Sequence, residues 1–131
     1  GYALRNDPVG CIILLGILGS DAMAQSELAV FSDSNFDAQV LGHEGLTVVD
    51  FWSETCAPCK QLKKILIQVA EDVPDNVVIG TVNGDKNTDL LARYGVRGFP
   101  TLVFIKSGEV VETRTGVDRK QILKKAIKAH A

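Results

Sequence analysis

Residues 46–73 read LTVVDFWSETCAPCKQLKKILIQVAEDV, and the change of period inside this stretch decides the fold. Leu46 to Trp52 is rich in β-branched and aromatic side chains and makes a buried strand, interrupted by one charge, Asp50. Beyond the C-x-x-C of Cys56 and Cys59 the spacing changes. Leu62, Ile65, Leu66, Val69, Ala70 and Val73 recur at helical intervals and form one apolar stripe over 58–73. Lys60, Lys63, Lys64, Gln68 and Glu71 take the wet face, and Pro74 stops the helix.

The same alternation continues on both sides. Upstream, a short strand near 28–31 precedes a helix opened by Ser34 as N-cap, with Asp37 in its first turn. Downstream, Val77 to Val82 is a second central strand. Thr88 to Tyr94 is a short helix, capped by Asn87 and ended by Gly95 in the left-handed region. Thr101 to Ile105 and Glu109 to Arg114 form a hairpin through Lys106-Ser107-Gly108. Ile122, Leu123, Ala126 and Ile127 mark a last amphipathic helix. Helices alternating with strands, then a terminal hairpin, predict an α/β sandwich around a mixed sheet.

Two units are expected: an N-terminal extension, 1–25, and one domain, 26–131. Val9 to Leu18 is apolar but far shorter than the ~20 residues that span a bilayer, so no membrane span is expected. Three origins fit the extension: a cloning remnant, a native tail, or a secretory signal with Ala22-Met23-Ala24 as its cleavage site. The expected compartment is the cytoplasm, with a periplasmic or secreted protein as the alternative if residues 1–24 are a signal. The net charge of −2 leaves no global basic field and argues against a nucleic-acid partner.

Three cysteines are too few for a disulfide-stapled scaffold, so the useful reading is a pair, Cys56 and Cys59, with Cys11 left over. Thiol–disulfide exchange needs a reachable thiolate and a second thiol close enough to resolve the mixed disulfide. A C-x-x-C at a strand-to-helix junction supplies both. The helix N-terminus favours the Cys56 anion, and Cys59 lies one turn inside. Pro58 suits the first turn, where a missing N–H is tolerated. A zinc half-site is the main rival, but tetrahedral zinc needs four N/S ligands and the chain adds only Cys11, His43 and His130. No metal is therefore expected. His43 and His130 read as solvated surface residues, and Cys11 as a bystander thiol.

The segment Val49-Asp50-Phe51-Trp52-Ser53-Glu54-Thr55-Cys56-Ala57-Pro58-Cys59-Lys60 resembles the active-site segment of the thioredoxin family, usually VDFWAxWCGPCK. Tyr94-Gly95-Val96-Arg97-Gly98-Phe99-Pro100-Thr101-Leu102 is similar to the family's YGxRGxPT segment, and Ser107 to Val110 and Gly116 also fit. The resemblance covers about residues 26–131. It implies a thioredoxin fold, with a central mixed sheet flanked by helices on both faces, and a protein-disulfide reductase that binds no cofactor. The implied partners are disulfide-containing substrate proteins and a thioredoxin reductase as electron donor.

The resemblance also implies roles. Cys56 is the attacking nucleophile, Cys59 the resolving thiol, and Asp50 a buried carboxylate that moves the Cys59 proton. Trp52, Ala57 and Pro58 border the disulfide. Pro100 is a cis proline, the Phe99 backbone pairs with an extended substrate, and Gly98 and Gly116 keep the groove shallow. Three positions depart from the pattern. Ala57 stands for glycine, Thr55 for the second tryptophan, and Thr81 for a lysine near the carboxylate. A non-enzymatic scaffold using the groove at Phe99 and Pro100 is the rival function.

Overall fold

The computed structural model describes residues 28–131, so the extension and Cys11 lie outside the described residues. Five strands form one sheet: β1 (Ala29–Phe31), β2 (Leu46–Trp52), β3 (Val78–Asn83), β4 (Thr101–Lys106) and β5 (Glu109–Thr115), in the spatial order β1-β3-β2-β4-β5. β3 runs parallel to both β1 and β2, whereas β4 is antiparallel to β2 and to β5. The sheet is therefore mixed, as the terminal hairpin predicts. Three longer helices cover it: α1 (Ala57–Ala70), α2 (Thr88–Tyr94) and α3 (Lys120–His130).

Period-2 alternation divides the core between two layers. Leu46 and Val48 of β2 point to one face, where they pack with Leu62, Leu66 and Val69 of α1 and Leu123 and Ile127 of α3. Val49 and Phe51 point to the other, among Phe31, Phe36, Val40 and Leu90. Asp50 shares the parity of Leu46 and Val48, so its carboxyl is directed under α1.

Several local expectations need correction. The first helix is a five-residue π-helical segment, Asp37–Leu41, with Phe36 at its N-cap and no side-chain cap. The Ser34 hydroxyl meets that of Ser32 instead, and the Asn35 side chain accepts the Ser32 N–H. Asn87 does occupy the N-cap of α2, but its side chain does not cap it. Its Oδ1 accepts the Asp33 N–H at 2.8 Å and its Nδ2 donates to the Asn83 carbonyl at 2.9 Å. The capping oxygen comes from across the fold, where the Leu90 N–H donates to Asp33 Oδ1 at 3.2 Å.

α1 ends at Ala70, so Val73 lies outside the helix. Pro74 steers the residue before it away from helical geometry, and the last turn tightens through Asp72 N–H to the Val69 carbonyl at 2.9 Å. Neither histidine is simply solvated. His43 Nε2 lies 2.8 Å from the Asn76 carbonyl, and His130 Nε2 lies 2.8 Å from Glu112. Gly95 does end α2 in the left-handed region, at φ 65°.

Candidate active site

β2 ends at Trp52, and the chain turns through Ser53, Glu54 and Thr55 before α1 begins at Ala57. Cys56 is the N-cap of α1. Its backbone is extended, and its sulfur accepts the Cys59 N–H at 3.2 Å. Cys56 and Cys59 are joined as a disulfide, with Cα atoms 5.3 Å apart. The two sulfurs are not equivalent to solvent. Cys56 is half-buried beside exposed Ala57 and Pro58, whereas Cys59 is 3% exposed and belongs to the apolar stripe of α1.

Beneath Cys59 lies a cavity of about 210 Å³, lined by Asp50, Trp52, Ser53, Glu54, Cys59, Lys60 and Lys63. Asp50 is 1% exposed, and neither carboxyl oxygen has a hydrogen-bond partner among the described residues. Burial penalises the charged form and pushes the Asp50 pKa up to about 7, with the Lys63 ammonium opposing the rise. A carboxyl that titrates near neutrality, in a cavity shared with a buried sulfur, can take up and release a proton at physiological pH. Thr81 is the β3 neighbour of Asp50 and is buried, so no cation comes from that position.

The turn before Cys56 is held from the end of β3 and the loop that follows it. Asp85 accepts the Glu54 N–H at 2.9 Å and the Ser53 hydroxyl at 3.2 Å, and the Asn83 side chain donates to Glu54 at 3.0 Å. These contacts were not predicted. They join residues about thirty positions apart, and nothing in the periodicity of either segment signals them.

Gly98, Phe99, Pro100 and Gly116 come together in a second, shallow groove of about 290 Å³. The Phe99–Pro100 peptide is cis. Gly116 has φ 82° and its N–H donates to the Pro100 carbonyl at 3.0 Å, so this glycine is demanded by the backbone itself. Phe51 pairs with Thr101 across β2 and β4, so Pro100 lies at the end of the sheet from which the chain leaves for Cys56. Gly84 is a support that the sequence pattern does not signal. A Cβ there would stand 2.6 Å from the Phe99 ring, and its N–H donates to the Trp52 carbonyl at 2.7 Å.

A dithiol pair at a helix N-terminus, over a buried titratable carboxyl and on a mixed sheet of this order, defines a thiol–disulfide oxidoreductase. Comparison with known proteins agrees. The family model "Thioredoxin" matches residues 27–129, and the chain belongs to the thioredoxin family. It is similar to the thioredoxin of Chlorobaculum thiosulfatiphilum, at 34% identity over 99 residues, covering 76% of this chain and 92% of that one. It is 41% identical over 85 residues to the thioredoxin of Rhodospirillum rubrum, covering 65% of this chain and 82% of that one. Among solved structures it is similar to that of a mutant thioredoxin from Halobacterium salinarum NRC-1. That match has a TM-score of 0.72 and 28% identity, and covers 81% of this chain and 92% of that one. The protein is a protein-disulfide reductase of thioredoxin type, and its substrates are disulfides.

Proposed function

We propose that Cys56 is the nucleophile, Cys59 the resolving thiol and Asp50 the proton acceptor in a two-step reduction of substrate disulfides. The difference in exposure between the two sulfurs carries this assignment. A half-buried sulfur at the helix N-terminus can reach a substrate, and the 3% exposed one cannot. In the first step the Cys56 thiolate attacks one substrate sulfur, forming the mixed disulfide and expelling the other sulfur as a thiolate. In the second, Cys59 gives its proton to Asp50, and its thiolate attacks the Cys56 sulfur. The substrate sulfur leaves, and the Cys56–Cys59 disulfide forms. Two electrons pass to the substrate, whose two thiolates take protons from the site or from water.

An extended substrate segment would lie along the groove at Gly98, Phe99, Pro100 and Gly116, pairing with the Phe99 backbone. Trp52, Ala57 and Pro58 would border its disulfide. A thioredoxin reductase would restore the dithiol. Among the described residues no helix is long and apolar enough to cross a membrane. The cytoplasm is the proposed compartment. The mass of the protein isolated from its host tests this, since loss of residues 1–24 would place it outside.

The assignment of the two cysteines is tested by trapping. Reduced Cys59→Ser protein mixed with a disulfide-bonded protein such as insulin should accumulate a covalent adduct through Cys56, seen on a non-reducing gel. Cys56→Ser should give none. An adduct of equal yield through Cys59 in the second variant would refute the assignment, and an adduct there alone would reverse the roles.

A further inference from the structure

The buried carboxyl poses an electrostatic problem that its own strand does not solve. Both β-neighbours of Asp50, Thr81 and Leu102, are uncharged. The titratable groups that line its cavity all come from elsewhere: Glu54 from the preceding turn, and Cys59, Lys60 and Lys63 from α1. Lys63 follows Cys59 by four residues. At 3.6 residues per turn it sits about 40° around the helix from Cys59, whereas Lys60 sits about 100° away. Helical side chains also lean back over the preceding turn, which here is the turn of Cys59. An exposed lysine at that place keeps its ammonium in water while its stem reaches the cavity rim.

We propose that Lys63 is a positioning residue of the proton relay, its ammonium overhanging the cavity and keeping Asp50 in its ionised, proton-accepting form until Cys59 gives up its proton. The proposal rests on the relay role of Asp50 given above. The lowering influence of Lys63 on the Asp50 pKa has the same direction. Lys63 touches neither substrate nor the reacting sulfurs; it acts through Asp50. The chemistry is unchanged by it: the Cys59 proton goes to the carboxylate, and the Cys59 thiolate displaces the substrate sulfur from Cys56.

The test uses the full chain in reduced form as wild type, Lys63→Met and Lys63→Arg. Lys63→Met keeps an apolar stem and removes the charge. The Asp50 midpoint is read by carboxyl carbon NMR, and the rate of disulfide reduction is read as a function of pH. In Lys63→Met the midpoint should rise, and the ionised fraction at pH 7 should fall by about two- to fourfold, a modest change because the ammonium is solvated. The acid limb of the rate profile should move by the same amount, KM should stay constant, and Lys63→Arg should restore both. An Asp50 midpoint that does not move in Lys63→Met overturns the proposal, as does a moved midpoint with an unmoved rate profile. Asp50→Asn separates the two levels. If that variant keeps the wild-type profile, the relay reading fails, whatever Lys63 does to the midpoint.

Discussion

Replacing Asp50 by Asn should stabilise the oxidised protein, and more so at pH 8 than at pH 5. Asp50 titrates at about 7 in the fold against an ordinary value of 3.8. Because the folded pKa is raised, the native state holds the proton more tightly than the unfolded chain does between those values. Stability therefore falls as pH rises from about 4 to about 7. Each pKa step corresponds to about 1.4 kcal/mol, so ionising this carboxyl opposes folding by roughly 4 kcal/mol above pH 7. Asn has nearly the same shape and no charge. Its amide meets the same surroundings, in which neither Asp50 oxygen is paired, and this returns about 1–2 kcal/mol of the gain. The expected net stabilisation is about 2–3 kcal/mol at pH 8 and close to zero at pH 5. Urea unfolding of both proteins across this range, followed by circular dichroism, reads it directly. Parallel stability–pH curves for wild type and Asp50→Asn would refute the claim that burial of this carboxyl controls the slope.

Two further substitutions probe the supports of the site. Gly84→Ala places a Cβ 2.6 Å from the Phe99 ring and 3.1 Å from the Trp52 carbonyl, so the ring must shift. A loss of about 1–3 kcal/mol in urea unfolding is expected, and an unchanged midpoint would show that the ring gives way freely. Asp85→Ala removes the acceptor for the Glu54 N–H and the Ser53 hydroxyl. Hydrogen exchange of the Glu54 amide should quicken by about five- to tenfold, corresponding to about 1 kcal/mol, while unaltered protection would mean that the turn holds its shape without the carboxylate.

Local chemistry made much of the fold legible. The strand of β2, the apolar stripe of α1, the left-handed Gly95 and the turn at Ser107-Gly108 each follow from forces acting within a few residues. Ser107 and Gly108 both have positive φ, at 51° and 83°, as a tight hairpin turn requires. What escaped was chemistry that acts across the chain. An asparagine before a helix invites a capping assignment, yet Asn87 leaves α2 uncapped and Asp33 accepts from Leu90 N–H across 57 residues. Lys63 falls on the wet face of a helical wheel, which cannot register that the helix lies over a cavity. Gly84 reads as an ordinary turn glycine until the Phe99 ring is found against it.

The three departures from the family segment do not act alike. Ala57 and Thr55 are exposed, beside the disulfide, where a substrate docked as proposed would meet them. Thr81 is buried beside Asp50, so its difference is felt by the proton and not by the substrate. A lysine from β3 would approach the carboxyl from within the sheet, where screening is weak. A lysine from α1 approaches through a cavity and keeps its ammonium in water, where the same charge acts more weakly. Desolvation thus outweighs Lys63, and Asp50 stays near neutrality instead of returning to the ordinary carboxylate range. A stronger cation at this distance would leave Asp50 ionised but a poor base for Cys59. Without a cation it would be protonated more of the time and less ready to accept. The solvated lysine leaves the carboxyl divided between its two forms near pH 7, the condition under which one group can both take a proton and give it back.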